Sequence, residues 1–377
     1  MKLQRKNRLR AVAFGAIAVS GALVLTACGS DNNSGGDTGN GGATKAAGNI
    51  KCDGKGQLLA SGSTAQKNAM DLWVKNFMAA CKDIQINYKP TGSGAGIQEF
   101  LQGKTAFAGS DSALKPEEAA KSKSVLKGGG QGIDLPMVGG PIAIGYHLSG
   151  VDNLVLDADT LAKIFDGKIE KWNDPAIAKL NKDAKLPDTK IQAFHRSDES
   201  GTTENFTKYL KATADKSWPY TPAKAWAAKG GQSADGSAGV SSQVKQTEGA
   251  ISYFELSYAT ANSIKTVKLN TGAAAPVEAT SDNASKAIAE AKIVGTGQDL
   301  ALQLNYNTKA EGAYPITLVT YEVVGDKGNK ADTLAATKSF LTYIASEDGQ
   351  SVLKGMGYAP LPTEIAKKVR ENIANLS

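Results

Sequence analysis

The stretch QLLASGST, residues 57–64, joins a short apolar strand pattern to a turn of small polar residues. Residues 65–80, which follow it, carry apolar side chains at the spacing of a helix. The same unit then repeats, with an alternating strand at 84–88, a glycine-rich turn at 91–96 and a helix predicted for 97–103. Repeated strand–turn–helix units predict a parallel sheet covered by helices, with ligands gathered at the carboxyl ends of the strands.

These turns carry small hydroxyl residues where helices are predicted to begin. Ser63 or Thr64 stands at the first helix start, Ser93 lies in the glycine-rich turn, and a third short strand, 106–109, leads to Asp111. The first N–H groups of a helix have no intrahelical acceptor and lie at the positive end of its dipole, so such starts bind anions. The simpler interpretation is that small residues suit the turn geometry and that Asp111 caps the next helix.

A second polar stretch, FHRSDESGTTENF at residues 194–206, adds a cation ahead of another predicted helix start. Gly201 allows a ligand to approach the backbone closely, and Ser200 and Thr202 add neutral donors. The guanidinium of Arg196 fits two oxygens of a tetrahedral anion at once. The alternative is an ordinary Ser/Thr cap with a solvated arginine nearby. Three hydroxyl-bearing helix starts, one arginine and one carboxylate together indicate a single oxyanion pocket, contributed by two lobes.

Residues 1–27 are predicted to be a secretory signal rather than part of the fold. Five basic residues precede the apolar run 11–25, which is too short to span a membrane comfortably. The ending LTAC, residues 25–28, resembles a bacterial lipobox, so Cys28 is expected to be lipidated after cleavage and to hold the protein on the outer face of the cytoplasmic membrane. An unlipidated secretory signal is the alternative. Residues 28–48 are rich in Gly, Ser, Asn and Asp and are predicted to form a flexible tether.

Length and charge bound the class of protein. The chain has 377 residues, more than one compact core usually holds, so two lobes are expected. Its formal charge of +6 falls to +1 once the five basic residues of the leader are removed. The sequence shows no basic stripe interleaved with aromatic residues, so nucleic acid is not an expected partner.

Two cysteines remain for the mature protein, because Cys28 is assigned to the lipid. Cys52 precedes a predicted strand and Cys81 ends the following helix, in an exported and oxidising setting, which predicts a disulfide between them. A pair of buried free thiols is the alternative. The two histidines, His147 and His195, do not form a metal-ligand spacing with these cysteines, so no metal site is predicted.

Several motifs follow one another along the chain. They are SGST at 61–64, YxxTGSGxG at 88–96, FAGSD at 107–111, RxDxSGT at 196–202 and GAISY at 249–253, with further support at 141–148 and 161–175. In this order they resemble the phosphate-binding protein of the bacterial Pst ABC transporter, the PstS family, over nearly the whole mature chain. The resemblance implies a periplasmic-binding-protein fold of type II, with two α/β lobes joined by a two-strand hinge.

The resemblance also implies where the lobes begin and end. Lobe I would comprise residues 49–138 and 314–377, and lobe II residues 139–313. The first hinge crossing would be 141–148, and the second would be 314–324, a β-branched alternating run, or the strand beside it.

Carried over position by position, the family's pocket falls on residues already singled out here. The implied phosphate ligands are Ser63, Thr64, Ala65 through its backbone N–H, Ser93, Asp111, Arg196, Ser200, Gly201 and Thr202. Asp198 is expected to pair with Arg196 and hold its guanidinium in place. Phosphate near neutral pH retains at least one proton, so it can donate a hydrogen bond to the carboxylate of Asp111. Sulfate has no proton and cannot donate one.

The expected function is therefore that of a monomeric extracytoplasmic lipoprotein that captures inorganic phosphate and delivers it to the transmembrane subunits of an ABC permease, without a cofactor. A binder of another tetrahedral oxyanion, such as sulfate, is the nearest alternative; Asp111 opposes it, because a fully deprotonated ligand would face an unmatched carboxylate. An exported serine hydrolase using Ser93 or Ser200 would need His195 as its base, and no third triad member stands out.

Three further segments carry weaker predictions. Glycine-rich residues 128–132 and 230–239 are predicted to be surface loops, and residues 277–295 a polar amphipathic helix. The four tryptophans are expected to serve packing rather than ligand binding: Trp73, Trp172, Trp218 and Trp226.

Overall fold

The computed structural model describes residues 50–377, so the leader, the tether and Cys28 lie outside the described residues. The strands are β1 (Gly56–Gly62), β2 (Ile84–Lys89), β3 (Phe107–Ser110), β4 (Gly132–His147), β5 (Val155–Asp157), β6 (Gln192–Arg196), β7 (Gln232–Ala234), β8 (Ala250–Glu255), β9 (Lys265–Thr266), β10 (Lys268–Asn270), β11 (Lys292–Ile293), β12 (Leu302–Gln303) and β13 (Thr317–Gly325). The helices are α1 (Lys67–Ala80), α2 (Ser93–Leu101), α3 (Pro116–Ser122), α4 (Ala158–Phe165), α5 (Pro175–Leu180), α6 (Gly201–Thr213), α7 (Gly236–Gln246), α8 (Leu256–Asn262), α9 (Ser281–Ile288), α10 (Ala331–Ile344), α11 (Glu347–Ser351) and α12 (Thr363–Asn375). Among residues 50–377, none of the helices has the length and apolar content that a membrane crossing needs.

One nine-stranded sheet runs through the molecule in the order β2-β1-β3-β13-β4-β8-β6-β7, with β9 added beside β4. Strands β1, β2 and β3 are parallel at one end of this sheet, and β6, β7 and β8 are parallel at the other. The two central strands, β4 and β13, run antiparallel to their neighbours. The sheet therefore consists of two parallel α/β halves joined by an antiparallel centre.

Strand β4 connects the two halves. Its residues 132–141 pair with β13, and its residues 142–147 pair with β8. Both β4 and β13 are buried along almost their whole length, because central strands of this sheet are covered on both faces. Such strands are mostly apolar on both faces. The chain thus passes from one lobe to the other within a single long strand.

Each lobe has its own apolar core. In the first lobe, α1 presents Trp73 and Phe77 on one face, and the ring of Phe77 meets that of Phe340 of α10 with centroids 5.3 Å apart. In the second lobe, Phe206 of α6 stacks on Tyr253 of β8 at 4.5 Å. Three of the four tryptophans are fully buried in these cores: Trp73, Trp172 and Trp218.

A disulfide joins Cys52 to Cys81, which confirms the predicted pairing. Cys81 lies in the core of the first lobe, directly after α1. The bond ties the beginning of the described chain to this helix and closes a loop with a sequence separation of 29 residues. Cross-linking a loop of this size stabilises the fold mainly by restricting the unfolded chain.

Two segments fold differently from the prediction. The helix predicted for 277–295 is limited to α9, because few apolar residues support a longer one and the chain turns into β11. Residues 230–239, predicted to be a surface loop, include β7 and the start of α7. Gly236 and Ser237, the first two residues of α7, are buried.

Residues 281–303 lie against the first lobe. Ile288 of α9 packs against Val319 of β13, and Leu300 belongs to the core of the first lobe. The apolar side chains of this segment, which was predicted to belong to lobe II, are covered by residues of lobe I; the range 139–313 stays a prediction.

Candidate functional site

The turn between β1 and α1 brings Ser63, Thr64 and Ala65 to the carboxyl end of β1, and all three are buried. The N–H of Ser63 donates to the carbonyl of Gly109 at 2.8 Å, which fixes the turn against β3. The Ser63 hydroxyl accepts the N–H of Ala65 at 3.1 Å and donates to a carboxylate oxygen of Asp111. The first predicted helix start therefore contacts the predicted carboxylate directly.

Helix α2 begins at Ser93, four residues ahead of the predicted range 97–103. Gly92 immediately before it has a φ of 90°, a conformation that favours glycine and that turns the chain into the helix. Glycine is needed at position 96, inside the helix, because α2 packs on β1 too closely there to leave room for a side chain. The Ser93 hydroxyl is buried and accepts the N–H of Asp111 at 3.1 Å.

Asp111 lies at the centre of the site and is only 2% exposed. Its Oδ1 accepts the hydroxyls of Ser63 and Thr320, the latter at 2.9 Å, and its Oδ2 accepts the hydroxyl of Thr202 at 2.8 Å. Burial raises the pKa of Asp111, and the three hydroxyl donors oppose that rise. Because Thr202 belongs to the second lobe, this carboxylate joins the two lobes.

Arg196 ends β6 and is also only 2% exposed. Its Nε donates to Oδ1 of Asp198 at 2.6 Å and its Nη2 donates to Oδ2, so the two side chains form a bidentate pair. Burial alone would raise the pKa of Asp198, but the guanidinium outweighs burial and the pKa is lowered. The N–H of Gly236 donates to Asp198 as well, at 3.1 Å. The ionised carboxylate of Asp198 thus holds the guanidinium of Arg196 in one orientation.

Helix α6 begins at Gly201, with Ser200 as its cap. The Ser200 hydroxyl accepts the N–H of Thr203 at 3.2 Å. A Cβ atom at Gly201 would lie 2.8 Å from the Ser93 hydroxyl oxygen and 2.7 Å from Cβ of Asp111. Only glycine lets the backbone of the second lobe come this close to the first.

All nine predicted pocket residues are therefore brought together, from both lobes, with Asp111 in the middle. Those from the first lobe are Ser63, Thr64, Ala65, Ser93 and Asp111, and those from the second are Arg196, Ser200, Gly201 and Thr202.

Ser237 also lies at the site, although it was not predicted from the sequence. The hydroxyl of Ser237 lies 2.8 Å from that of Thr64, and its N–H donates to the same Thr64 oxygen at 3.0 Å. Nη1 of Arg196 donates to the Ser237 hydroxyl at 3.4 Å. The sequence does contain the pattern of a helix start here, because Gly236 and Ser237 precede apolar residues at helical spacing, as at the other helix starts. The glycine content of residues 230–239 led instead to the prediction of a loop.

Two more residues of the site were missed. Thr320 of β13 donates to Asp111, and the side-chain amide of Asn205 donates to the carbonyls of Asp111 at 2.7 Å and of Gly201 at 2.8 Å. A threonine in an apolar strand is ordinary, because β-branched residues suit strands, so nothing in the sequence marked Thr320.

The arrangement suits binding of an anion rather than nucleophilic catalysis. The starts of α2, α6 and α7 meet here with a guanidinium and several hydroxyls, a combination that stabilises negative charge. The hydroxyls of Ser93 and Ser200 both accept backbone N–H groups. The ring of His195 stacks on that of Trp226 at 4.8 Å, and burial lowers the pKa of this histidine. Within residues 50–377, no group of three or more His, Cys, Asp or Glu side chains could hold a metal ion.

Two α/β lobes that share a sheet and enclose a buried, hydroxyl-lined site define a two-lobe binding protein with the periplasmic-binding-protein fold. The sequence model of the PBP superfamily domain matches residues 47–348. A solved structure of a phosphate-binding protein from Stenotrophomonas maltophilia has the same fold, with a TM-score of 0.64 and 20% identity over 84% of this chain and 93% of that one.

Two curated relatives are much more similar in sequence. The chain is 44% identical to the phosphate-binding protein PstS 3 of Mycobacterium tuberculosis over 372 residues, 98% of each chain. It is 39% identical to PstS 2 of the same species over 364 residues, 96% of this chain and 97% of that one. The chain belongs to the PstS family of phosphate-binding proteins, a family of transport receptors and not of enzymes.

Proposed function

We propose that this protein captures inorganic phosphate between its two lobes and delivers it to the transmembrane subunits of an ABC permease. The observation that carries the proposal is the position of Asp111, a buried carboxylate placed among hydrogen-bond donors from both lobes. Phosphate is an anion that still carries a proton near neutral pH, so it can use both the donors and this one acceptor. The names of the curated relatives support the same ligand.

The donors can supply the affinity that a transport receptor needs. Charge-assisted hydrogen bonds to an anion contribute about 1.5 to 3 kcal/mol each, and binding with a micromolar Kd requires about 8 kcal/mol net. Arg196, the first N–H groups of α6 and the surrounding hydroxyls can meet this requirement, even after the ordering of the site and of the ligand. The pocket we propose consists of the nine predicted residues together with Ser237.

Asp111 can reject an anion that has no proton. An ionised carboxylate has about four lone-pair sites. The hydroxyls of Ser63, Thr202 and Thr320 occupy three of them, which leaves one for the proton of the ligand. Sulfate would instead place an oxygen against this carboxylate, and a buried polar site that loses its intended hydrogen bond can reject an analogue by roughly four to five orders of magnitude.

The leader and the cysteine that follows it support an anchored location. Cleavage before Cys28 and lipidation of its thiol would hold the protein on the outer face of the cytoplasmic membrane, with residues 28–48 as a tether. A monomer at this location can release phosphate to a permease that recognises the closed arrangement of the lobes.

Calorimetric titration of phosphate-stripped protein with phosphate and with sulfate tests the ligand assignment. We expect phosphate to bind with a micromolar or tighter Kd, and sulfate to bind at least about four orders of magnitude more weakly. Equal affinity for the two anions would contradict the role given to Asp111. Absence of phosphate binding would contradict the function itself.

Ser237→Ala is expected to weaken phosphate binding about tenfold, because it removes the hydroxyl that links Thr64 of the first lobe to Arg196 of the second. Ser241→Ala is the matched control: Ser241 is equally buried on α7, but its hydroxyl donates to the carbonyl of Ala238 in the same helix. Calorimetry on both variants checks this; equal losses of affinity would point to the helix and not to the link.

A further inference from the structure

A buried lysine lies at the boundary between the lobes, close to the helix start at Ser200. Lys224, in the segment between α6 and β7, is 6% exposed. Its carbonyl accepts the N–H of Ser200 at 3.0 Å, so the backbone at Lys224 is tied to the cap of α6. The ammonium of this residue plays no part in the phosphate site described above.

Two carboxylates from different lobes face this ammonium. Nζ of Lys224 lies 3.8 Å from Oε1 of Glu118 on α3, in the first lobe, and 3.8 Å from Oε2 of Glu204 on α6, in the second. Within residues 50–377, Nζ of Lys224 and Oε2 of Glu204 have no hydrogen-bond partner. The two ion pairs of this lysine therefore lie one on each side of the boundary, and its charge also acts on Asp134 of β4, in the first lobe.

The two acids also depend on the ammonium of Lys224 for the balance of their charge. Glu118 and Glu204 are mostly buried, and burial raises the pKa of Glu204, but Lys208 and Lys224 outweigh burial and hold that pKa below its ordinary value. Glu204 therefore remains ionised. Without the ammonium of Lys224, two carboxylates would approach each other in a poorly hydrated space whenever the lobes close, and like charges in such a setting repel.

We infer that Lys224 is an interlobe latch, a positioning residue that stabilises the closed lobes by bridging Glu118 and Glu204 and so prolongs the residence of the bound anion. This inference rests on the proposed capture of phosphate between the lobes. The latch forms only when the lobes meet, so it slows dissociation rather than speeding association.

Lys224→Gln tests the latch. We expect the dissociation rate of phosphate, measured by stopped-flow fluorescence, to rise about tenfold with little change in the association rate. Lys208→Gln is the control: Lys208 pairs with the same Glu204 at 2.7 Å, but from the same helix and at a more exposed position, so its loss should change the dissociation rate much less than Lys224→Gln does. Equal rates in Lys224→Gln and the parent would overturn the inference.

A second substitution separates the latch from a general loss of structure. Glu118→Gln added to Lys224→Gln removes the carboxylate that the lost ammonium had balanced, and it should restore most of the slow dissociation. Glutamine can still accept the N–H of Lys115 through its side-chain oxygen, as Glu118 does at 2.8 Å, so α3 keeps its cap. A double variant that dissociates faster than Lys224→Gln alone would contradict the latch.

Small-angle X-ray scattering provides a measure that does not depend on the identity of the ligand. Both in buffer without ligand and in phosphate, the latch predicts a larger radius of gyration for Lys224→Gln than for the parent, and a return toward the parent value in the double variant. If the parent protein does not bind phosphate, the proposed function fails, while this scattering difference still decides for or against the latch.

Discussion

Arg196→Gln is expected to weaken phosphate binding about a thousandfold, or by about 4 kcal/mol. A guanidinium has five N–H donors. Asp198 accepts two of those of Arg196 and Ser237 accepts one, which leaves two for the anion. Each charge-assisted hydrogen bond contributes about 1.5 to 3 kcal/mol. Glutamine would also leave the carboxylate of Asp198 without its cation, and leaving one member of such a pair unmatched is costly.

The chain offers a matched control, because Arg370 is the other arginine of residues 50–377. Arg370 lies on α12 and donates to the carbonyl of Ala345, so Arg370→Gln should leave phosphate affinity within about twofold of the parent. Arg196→Lys should fall between, since an ammonium keeps the charge but cannot hold Asp198 through two parallel bonds. Calorimetry on the three variants measures this order; parental affinity in Arg196→Gln would remove Arg196 from the site.

The parts of the fold that could be predicted from sequence are those in which local patterns repeat. Residues 57–64 place a strand, a turn and a helix start within a few positions, and the parallel strands β1, β2 and β3 follow from the repeats of that unit. The residues predicted to line the pocket were singled out for the same reason. A hydroxyl next to a glycine at a helix start has a recognisable spacing, and Arg196 stands directly before one such start.

What the sequence did not reveal depends on contacts between distant segments. Thr320 reaches Asp111 from a strand 209 residues away, and no local pattern distinguishes it from any other threonine in a strand. Residues 281–303 were predicted to belong to lobe II, yet their attachment depends on which core covers Ile288 and Leu300, and spacing along the chain carries no such information. Ser237 was not predicted because the glycines around it favour a loop. Its role depends on contacts with Arg196 and Thr64, which are distant in sequence.

The carboxylate of Asp111 contributes both to the contacts that close the lobes and to the selection between anions. Asp111 belongs to the first lobe, accepts a hydroxyl of the second from Thr202, and receives an amide of the second lobe, that of Asn205, on its backbone carbonyl. A ligand that repels this carboxylate therefore also opposes the contacts that hold the lobes together. Discrimination between anions should consequently appear in the closed state more than in the first encounter with the open protein.

Asp111→Asn is expected to reduce the preference for phosphate over sulfate by roughly a hundredfold or more, with a smaller loss of phosphate affinity itself. Asparagine has nearly the same shape, but it is neutral and one of its two terminal groups is a donor. The repulsion that sulfate meets at a carboxylate is thereby removed, and the amide can donate to a sulfate oxygen. Phosphate loses a strong acceptor for its proton but keeps Arg196 and the helix starts. The ratio of the two dissociation constants, from calorimetry, is the measurement.

Asp134→Asn is the control for this substitution, because Asp134 is an equally buried carboxylate of the first lobe that accepts the N–H of Leu114 instead of groups from the second lobe. It should leave the preference for phosphate unchanged, even if it alters the stability of the fold. An unchanged ratio in Asp111→Asn would show that the donors alone select the ligand. A ratio that falls equally in both variants would assign the effect to a general change in the buried polar groups of lobe I and not to the proton of phosphate.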